Sequence, residues 1–339
     1  MGLSGFQPYG QFQTCSKEEN SVKKIAILTS GGDAPGMNAA IRAVVRTALK
    51  NDIEVIGINM GYEGLINGDF HPMDRRSVSD IIQKGGTILK TARCPEFKDP
   101  AVREKAAQVL RIYGIEGLIV IGGDGSFMGA KGLSDLGIKT IGLPGTIDND
   151  LAYTDYTIGF DTAQNTITDA INKLRDTSSS HQRVSVVEVM GRNCGDLALF
   201  AGLAGGATTI LVPEKKMTKE EAIREVMEGR KMKKNHNLVV VAEGVGGARE
   251  LAQDIEELTG IEARATVLGH IQRGGVPTAF DRILAARMGH KAVELLMEGK
   301  SARVVGIKAN KIIDMDIYEA LAMERTFDEE LYKIAMDMS

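Results

Sequence analysis

A chain of 339 residues with 43% hydrophobic and 25% charged side chains is long enough for two ordinary domains, and its composition excludes a disordered polypeptide. Trp is absent, aromatic residues reach only 5% and the net charge is -4, which excludes a base-stacking or bulk-charge surface for nucleic acid. Cys15, Cys94 and Cys194 are odd in number, scattered and without metal-ligand spacing, so they read as reduced thiols of a cytoplasmic protein. Residues 1–22, rich in Gln, Gly and Ser, carry no apolar segment of secretory type and are expected to be a flexible extension. No later run is long enough to span a membrane.

From Val22 onward short apolar runs alternate with helical segments, the pattern of a parallel sheet with crossover helices. Strands are predicted over 24–28, 54–58, 117–121, 140–143, 184–189, 209–212, 238–242 and 265–268. Apolar residues at helical spacing predict helices over 37–50, 102–113, 162–178, 219–233, 250–259 and 282–298. In open α/β sheets ligands bind beyond the carboxyl ends of the strands, so the loops there matter most.

The first such loop is Thr29-Ser-Gly-Gly-Asp-Ala-Pro-Gly-Met-Asn38, which enters a helix whose free N–H groups suit a phosphate. It lacks the Gly-Lys-Ser/Thr ending of a Walker A loop, and its glycines do not fit GxGxxG. The second, Gly122-Gly-Asp-Gly-Ser126, precedes a helix predicted to begin near Phe127. Its nested N–H groups suit phosphate oxygens, and Asp124 suits the Mg²⁺ that accompanies them. The third, Leu143-Pro-Gly-Thr-Ile-Asp-Asn-Asp150, places Asp148 and Asp150 beyond an apolar strand, where one carboxylate can take a proton while the other orients a partner or meets a metal. Asp, Asn and Gly are also what turns use, so taken singly these loops leave a plain turn open.

The second half supplies cations. Arg183, Arg192, Arg264 and Arg273 lie in or beside strand ends, close to Gly and His, and Arg suits bidentate recognition of a phosphate. A single Arg is more often a surface ion-pair partner, and His270 alone more often a structural histidine. Together they make a sugar-phosphate cradle the better reading.

Six ordered motifs, Thr29 to Ala40, Gly122 to Ser126, Pro144 to Asp150, Asp176-Thr-Ser-Ser-Ser-His-Gln-Arg183, Glu188-Val-Met-Gly-Arg192 and Gly269-His-Ile-Gln-Arg-Gly-Gly275, resemble the bacterial-type 6-phosphofructokinase family. The resemblance implies an α/β fold of two Rossmann-like three-layer domains with mainly parallel sheets. The larger, ATP-binding domain would comprise 23–159 plus about 272–322. The smaller, which binds fructose 6-phosphate, would comprise about 160–271 plus 323–339. It further implies transfer of the ATP γ-phosphoryl to the 1-hydroxyl of fructose 6-phosphate with Mg²⁺, by a cytoplasmic homotetramer of glycolysis.

Carried over by motif, Asp148 resembles the base, Asp124 the Mg²⁺ carboxylate, and Thr146, Asp150 and Arg192 the polar support of the transferring group. Gly32, Tyr62, Arg93, Cys94 and the loop Gly122, Gly123, Asp124, Gly125 and Ser126 would line the ATP site. Thr146, Ile147, Asp148, Met190, Gly191, Arg192, Glu243, His270 and Arg273 would hold the sugar phosphate, with Arg183 and Arg264 reaching in from a neighbouring subunit. Pyrophosphate-using relatives carry Asp and Lys where this chain has Gly125 and Gly145. The small residues are expected to leave room for the nucleotide and so favour ATP.

An effector site for ADP and phosphoenolpyruvate is implied by Arg42, Arg46, Arg75, Asp80, Arg175 and Lys234. Thr208 stands where the family usually has a metal-binding Glu, and Met232 where Lys is common, which predicts a blunted effector response. Two other classes fit less well. An NAD(P)-dependent dehydrogenase would need the missing GxGxxG loop. A non-catalytic sensor would be expected to have replaced Asp124 or Asp148, and both are present.

Overall fold

The computed structural model describes residues 22–232 and 237–339. The chain runs β1 (Lys24–Thr29), α1 (Met37–Lys50), β2 (Glu54–Ile58), α2 (Gly61–Asn67), β3 (Phe70–Met73), α3 (Pro100–Ile112), β4 (Gly117–Gly122), α4 (Asp124–Ser134), β5 (Lys139–Thr146) and β6 (Ile158–Gly159). It continues with α5 (Phe160–His181), β7 (Val184–Val189), α6 (Asp196–Gly205), β8 (Thr209–Leu211), α7 (Lys219–Lys231), β9 (Asn237–Ala242), α8 (Ala248–Thr259) and β10 (Ala263–Val267). Last come α9 (Ala279–Met297), β11 (Arg303–Lys308), β12 (Lys311–Asp316), α10 (Ile317–Ala322) and α11 (Glu329–Asp337).

Two sheets result. The larger has the order β12-β11-β5-β4-β1-β2-β3, with β6 added beside β5, and the smaller the order β10-β7-β9-β8. The smaller is parallel throughout, while the larger is parallel except at its edges, where β2 with β3 and β11 with β12 pair antiparallel. The central strand β4, Gly-Leu-Ile-Val-Ile-Gly, is buried along its whole length, as a strand covered by helices on both faces must be. An apolar cluster runs from Ile25 and Ile27 of β1 through α1, α9 and α5 to Val187 of β7 and Leu197 of α6, so one continuous core joins the two sheets.

The differences from the predicted elements have physical causes. α6 escapes a periodicity search because Leu-Ala-Leu-Phe-Ala-Gly-Leu is apolar on every side and lies buried between α5 and β9. The hairpin β11–β12 turns at Ala309 and Asn310, both in left-handed conformation (φ 46° and 61°), and its second strand is only partly buried, so neither a Gly-rich turn nor an alternating pattern marks it. β5 continues three residues past its predicted end, through Pro144, because β6 pairs with Gly145 and Thr146 and carries the sheet to the edge of the third loop. No helix among the described residues is long and apolar enough to cross a membrane.

One buried carboxylate holds the junction of α5, β6 and α9. Asp281 has no solvent exposure and accepts hydrogen bonds from the Gly159 and Thr162 amides (2.9 and 2.8 Å) and from the Thr162 hydroxyl. Those amides open α5 and have no partner within the helix. Asp281→Ala leaves them buried and unpaired, so the free energy of unfolding is expected to fall by about 2–5 kcal/mol. The midpoint of urea unfolding measures it.

Candidate active site

Three strand ends of the larger sheet meet at one cavity of about 680 Å³. They are knitted together by the backbone. Ser30 N–H donates to the Ile121 carbonyl at 2.9 Å, the Ser126 hydroxyl donates to the Ser30 carbonyl at 3.1 Å, and the Tyr62 hydroxyl donates to the Ser126 carbonyl at 2.5 Å. Gly122 is needed where the first two loops cross, because a Cβ there would lie 2.5 Å from the Ser30 carbonyl oxygen. Behind it α4 begins at Asp124, three residues earlier than predicted. Asp124, Gly125 and Ser126 therefore form the first helical turn, and the cavity receives a helix amino terminus rather than a free loop nest.

The third loop supplies the acid–base groups. Asp148 is 2% exposed, its own amide donates to the Thr146 hydroxyl at 3.2 Å, and its Oδ1 has no hydrogen-bond partner. Arg192 reaches it from the smaller sheet, with Nε 3.2 Å from Asp148 Oδ2 and a terminal nitrogen 3.9 Å from Asp150 Oδ2. Burial and then the neighbouring Asp150 push the Asp148 carboxyl up to about 6, against the opposing pull of Arg192 and Arg273. Burial also raises Asp150, again opposed by Arg192.

Arg192 is aimed by its backbone. It follows Gly191 (φ 130°), has φ 54° itself, and its amide donates to Glu243 Oε1 at 2.6 Å, while the Met190 amide donates to Gln272 at 3.1 Å. A non-glycine residue in the left-handed region costs free energy, which the Glu243 bond offsets.

Of the residues singled out from sequence, Gly32, Tyr62, Arg93, Cys94, Gly123, Asp124, Gly125, Ser126, Thr146, Ile147, Asp148, Arg192 and Arg273 line this cavity. The Arg273 guanidinium lies over Gly32, where its carbon is 3.2 Å from the position of an added Cβ. Asp150, Met190, Gly191 and Glu243 stand one step behind, through Arg192. His270 is exposed in a 3-10 turn (Gly269–Arg273) and does not line the cavity.

Arg183 and Arg264 are not brought in within this chain. Arg183 precedes the first residue of β7 and Arg264 is the second of β10, so both sit at amino ends of parallel strands, where Glu262 pairs with them at 2.7 and 2.6 Å. Gly145 lines the cavity as well, and a Cβ there would meet Ile121 and Met37 at 2.7 and 3.1 Å, so core packing behind it also keeps this position small, whereas Gly125 faces open space.

Sequence reasoning passed over Asp33, Lys98 and Arg103, which also line the cavity. Asp33 lies inside a motif read for its glycines. Lys98 closes a 3-10 turn (Pro95–Lys98) and Arg103 lies early in α3, where basic residues ordinarily mark a solvated face; here Arg103 donates to the Phe97 and Lys98 carbonyls and folds over the cavity rim.

Among the effector candidates, Arg42 and Arg46 lie on α1, Arg75 and Asp80 follow β3, and Arg175 of α5 donates to the Gly205 carbonyl. None of these five lines the cavity. Lys234, like Cys15, lies outside the described residues. Thr208 is buried and its hydroxyl accepts from the Leu238 amide at 3.4 Å, while Met232 is exposed. Among the described residues no three acidic, His or Cys side chains converge on a metal position. Asp124 at the mouth of a phosphate-directed helix fits Mg²⁺, which binds through one or two carboxylates plus substrate phosphates.

The sequence profile described as Phosphofructokinase matches residues 24–296. The chain belongs to the phosphofructokinase family. ATP-dependent 6-phosphofructokinase 1 of Clostridium perfringens (strain 13 / Type A) is 69% identical over 314 residues, covering 93% of this chain and 98% of that protein. ATP-dependent 6-phosphofructokinase of Clostridium botulinum (strain Hall / ATCC 3502 / NCTC 13319 / Type A) is 68% identical over 318 residues, covering 94% of this chain and 100% of that one. Phosphofructokinase from Saccharomyces cerevisiae superposes with a TM-score of 0.84 at 36% identity, over 93% of this chain and 48% of its own, so this chain spans about half the yeast length. A pyrophosphate-dependent phosphofructokinase from Marinobacter aquaeolei superposes with a TM-score of 0.83 at 26% identity, over 91% and 86% of the two chains. The phosphofructokinase fold thus accounts for both sheets and for the loops that meet at the cavity.

Proposed function

We propose that this chain is an ATP-dependent 6-phosphofructokinase, which transfers the γ-phosphoryl group of ATP to the 1-hydroxyl of fructose 6-phosphate in glycolysis. The observation that carries the reading is the buried Asp148 with an unpartnered oxygen, held by Arg192 in the same cavity as the amino terminus of α4. Phosphoryl transfer asks a protein mainly to position reactants and neutralise charge on the equatorial oxygens. The α4 amides, Arg93 and Arg273 supply that neutralisation, and the Asp148 carboxylate accepts the proton of the sugar hydroxyl as it attacks. Asp124 would hold Mg²⁺, which would supply positive charge against the nucleotide phosphates.

ATP is the donor. Gly125 opens on free space at the start of α4, and the Clostridium proteins that match at 68–69% are named ATP-dependent, while the pyrophosphate-dependent one matches at 26%. A coupled assay for fructose 1,6-bisphosphate, run with ATP and Mg²⁺ beside pyrophosphate and Mg²⁺, tests this. Turnover with ATP alone is expected, and turnover confined to pyrophosphate would reverse the assignment.

In this reading residues 23–159 with about 272–322 hold ATP, and 160–271 with 323–339 hold the sugar phosphate. Arg183 and Arg264 are given to the active site of a neighbouring subunit in a cytoplasmic homotetramer. Glu262, which now pairs both, would be the group they leave. Arg42, Arg46, Arg75, Asp80, Arg175 and Lys234 would form the effector site for ADP and phosphoenolpyruvate. Thr208, buried and hydrogen-bonded to β9, has no carboxylate to offer an effector's Mg²⁺, so activation by MgADP is weak.

A further inference from the structure

The turn that presents Asp148 and Asp150 is braced from behind by Arg325, far downstream in the chain. Arg325 lies in the segment 323–328, between α10, which packs on α4, and α11, which packs on α6. Its Nε donates to the Asn149 carbonyl at 3.1 Å. Its other nitrogens pair with Asp196, which is 3% exposed at the start of α6, and with Glu214 at 3.3 Å beyond β8. Asn149 is the residue between the two site carboxylates and has φ 51°. Its amide group is equally committed: Nδ2 donates to Asp196 at 2.9 Å and Oδ1 accepts from the Thr157 amide at 3.1 Å.

We infer that Arg325 is a positioning residue for phosphoryl transfer, fixing the Asn149 turn against Asp196 and Glu214 so that Asp148 and Asp150 face the cavity. The inference deepens the proposed function and rests on it for its kinetic part. Three features make this more than an ion pair. The planar guanidinium satisfies a carbonyl and two carboxylates on separate elements at once, which a point charge on a flexible stem does not. Asn tolerates the left-handed region better than other non-glycine residues, and Asn149 is fixed there through its carbonyl, Oδ1 and Nδ2. Arg325 also opposes the upward push on the Asp150 carboxyl, as Arg192 does more strongly from the other side, while Asp124 adds to that push. Around Arg325 itself stand Asp196, Glu214 and the thiol of Cys194, which burial keeps protonated with its pKa pushed up to about 12.

The test compares Arg325→Met and Arg325→Lys with the parent in the full chain. For Arg325→Met, kcat is expected to fall about 10- to 100-fold, the cost of a small misplacement of reacting groups, with KM for both substrates within roughly threefold. The acid limb of kcat should move to higher pH, since Asp150 has lost a cation. Hydrogen exchange over 146–158, read without any substrate, should speed at least about tenfold while β1 and β4 keep their protection. Arg325→Lys should keep the fold and recover only part of kcat, because one ammonium cannot bind all three acceptors in the same geometry; it carries the test if the Met variant does not accumulate as folded protein.

A folded variant with parental kcat, acid limb and exchange at 146–158 removes Arg325 from this role. So does a loss of activity with the acid limb and the local exchange unmoved, the mark of a merely structural residue. A parent that forms no fructose 1,6-bisphosphate overturns the proposed function instead, and the exchange measurement then still decides whether Arg325 braces the turn.

Discussion

Asp148→Asn is expected to lower kcat by about 10²–10⁴, the range attributed to a positioned general base, while KM for ATP and fructose 6-phosphate changes little. Asn keeps the shape and the contact to Arg192 but cannot take the proton. The parent's kcat should rise with pH through about 6, where the Asp148 carboxyl loses its proton, and level off above it. That limb belongs to Asp148 and Asp150 as an interacting pair, and Asp148→Asn should flatten it.

Stability should move the opposite way. The folded Asp148 carboxyl titrates near 6 and the unfolded one near its ordinary value of 3.8, so the folded state binds the proton more tightly. Parental stability therefore falls as pH rises from about 4 to about 6 and stays lower above. The Asn variant lacks that loss and should be more stable than the parent at pH 8 by about 3 kcal/mol, with most of the difference gone at pH 4. Thermal unfolding at the two pH values checks it, and a variant that is slow and also unstable at pH 8 would point to a structural role for Asp148.

The parts of this site that could be read from sequence are those set by local backbone chemistry. Glycines at strand ends, the run from Pro144 to Asp150, and the switch from apolar run to helix placed three loops on one sheet edge, and the cavity gathers all three. What was hidden depends on long-range placement. Asp148 and Arg192 are joined only because β7 of the second sheet ends opposite β5 of the first, and no spacing rule links them. Arg183 and Arg264 looked like strand-end cations, yet which end of a parallel strand a residue occupies follows from the strand's exact limits. Lys98 and Arg103 sit in positions that normally face water, yet both line the cavity, where Arg103 folds onto the Phe97 and Lys98 carbonyls. Gly145 borders the cavity as expected, but the contact that keeps it small, with Ile121 and Met37 behind it, was equally out of reach of the sequence. The same limit hid Arg325, whose partners Asn149, Asp196 and Glu214 come from three separate stretches of chain.

Arg192→Met should reduce kcat by about 10²–10³, the range for removal of one preorganised group that stabilises transition-state charge. The side chain has two tasks that the variant separates from those of Asp148. It faces the cavity, where it would neutralise the phosphoryl group, and it lies between Asp148 and Asp150, whose carboxyls it holds down against burial. Without it the two carboxylates face each other across a partly dry site with Arg273 as the remaining cation that opposes the Asp148 shift. Asp148 then ionises later, so the acid limb of kcat should move above 6, whereas Asp148→Asn should abolish it. KM for fructose 6-phosphate should rise as well, since an anion-binding group is gone, and KM for ATP much less. Arg192→Lys restores the charge but cannot set one nitrogen 3.2 Å from Asp148 and another 3.9 Å from Asp150 at the same time, so it should recover binding more than kcat. Because both variants disable one unit, the double variant Asp148→Asn with Arg192→Met should be little slower than the slower single one. Losses that simply multiply would mean that Arg192 and Asp148 act independently, and would limit Arg192 to holding the sugar phosphate.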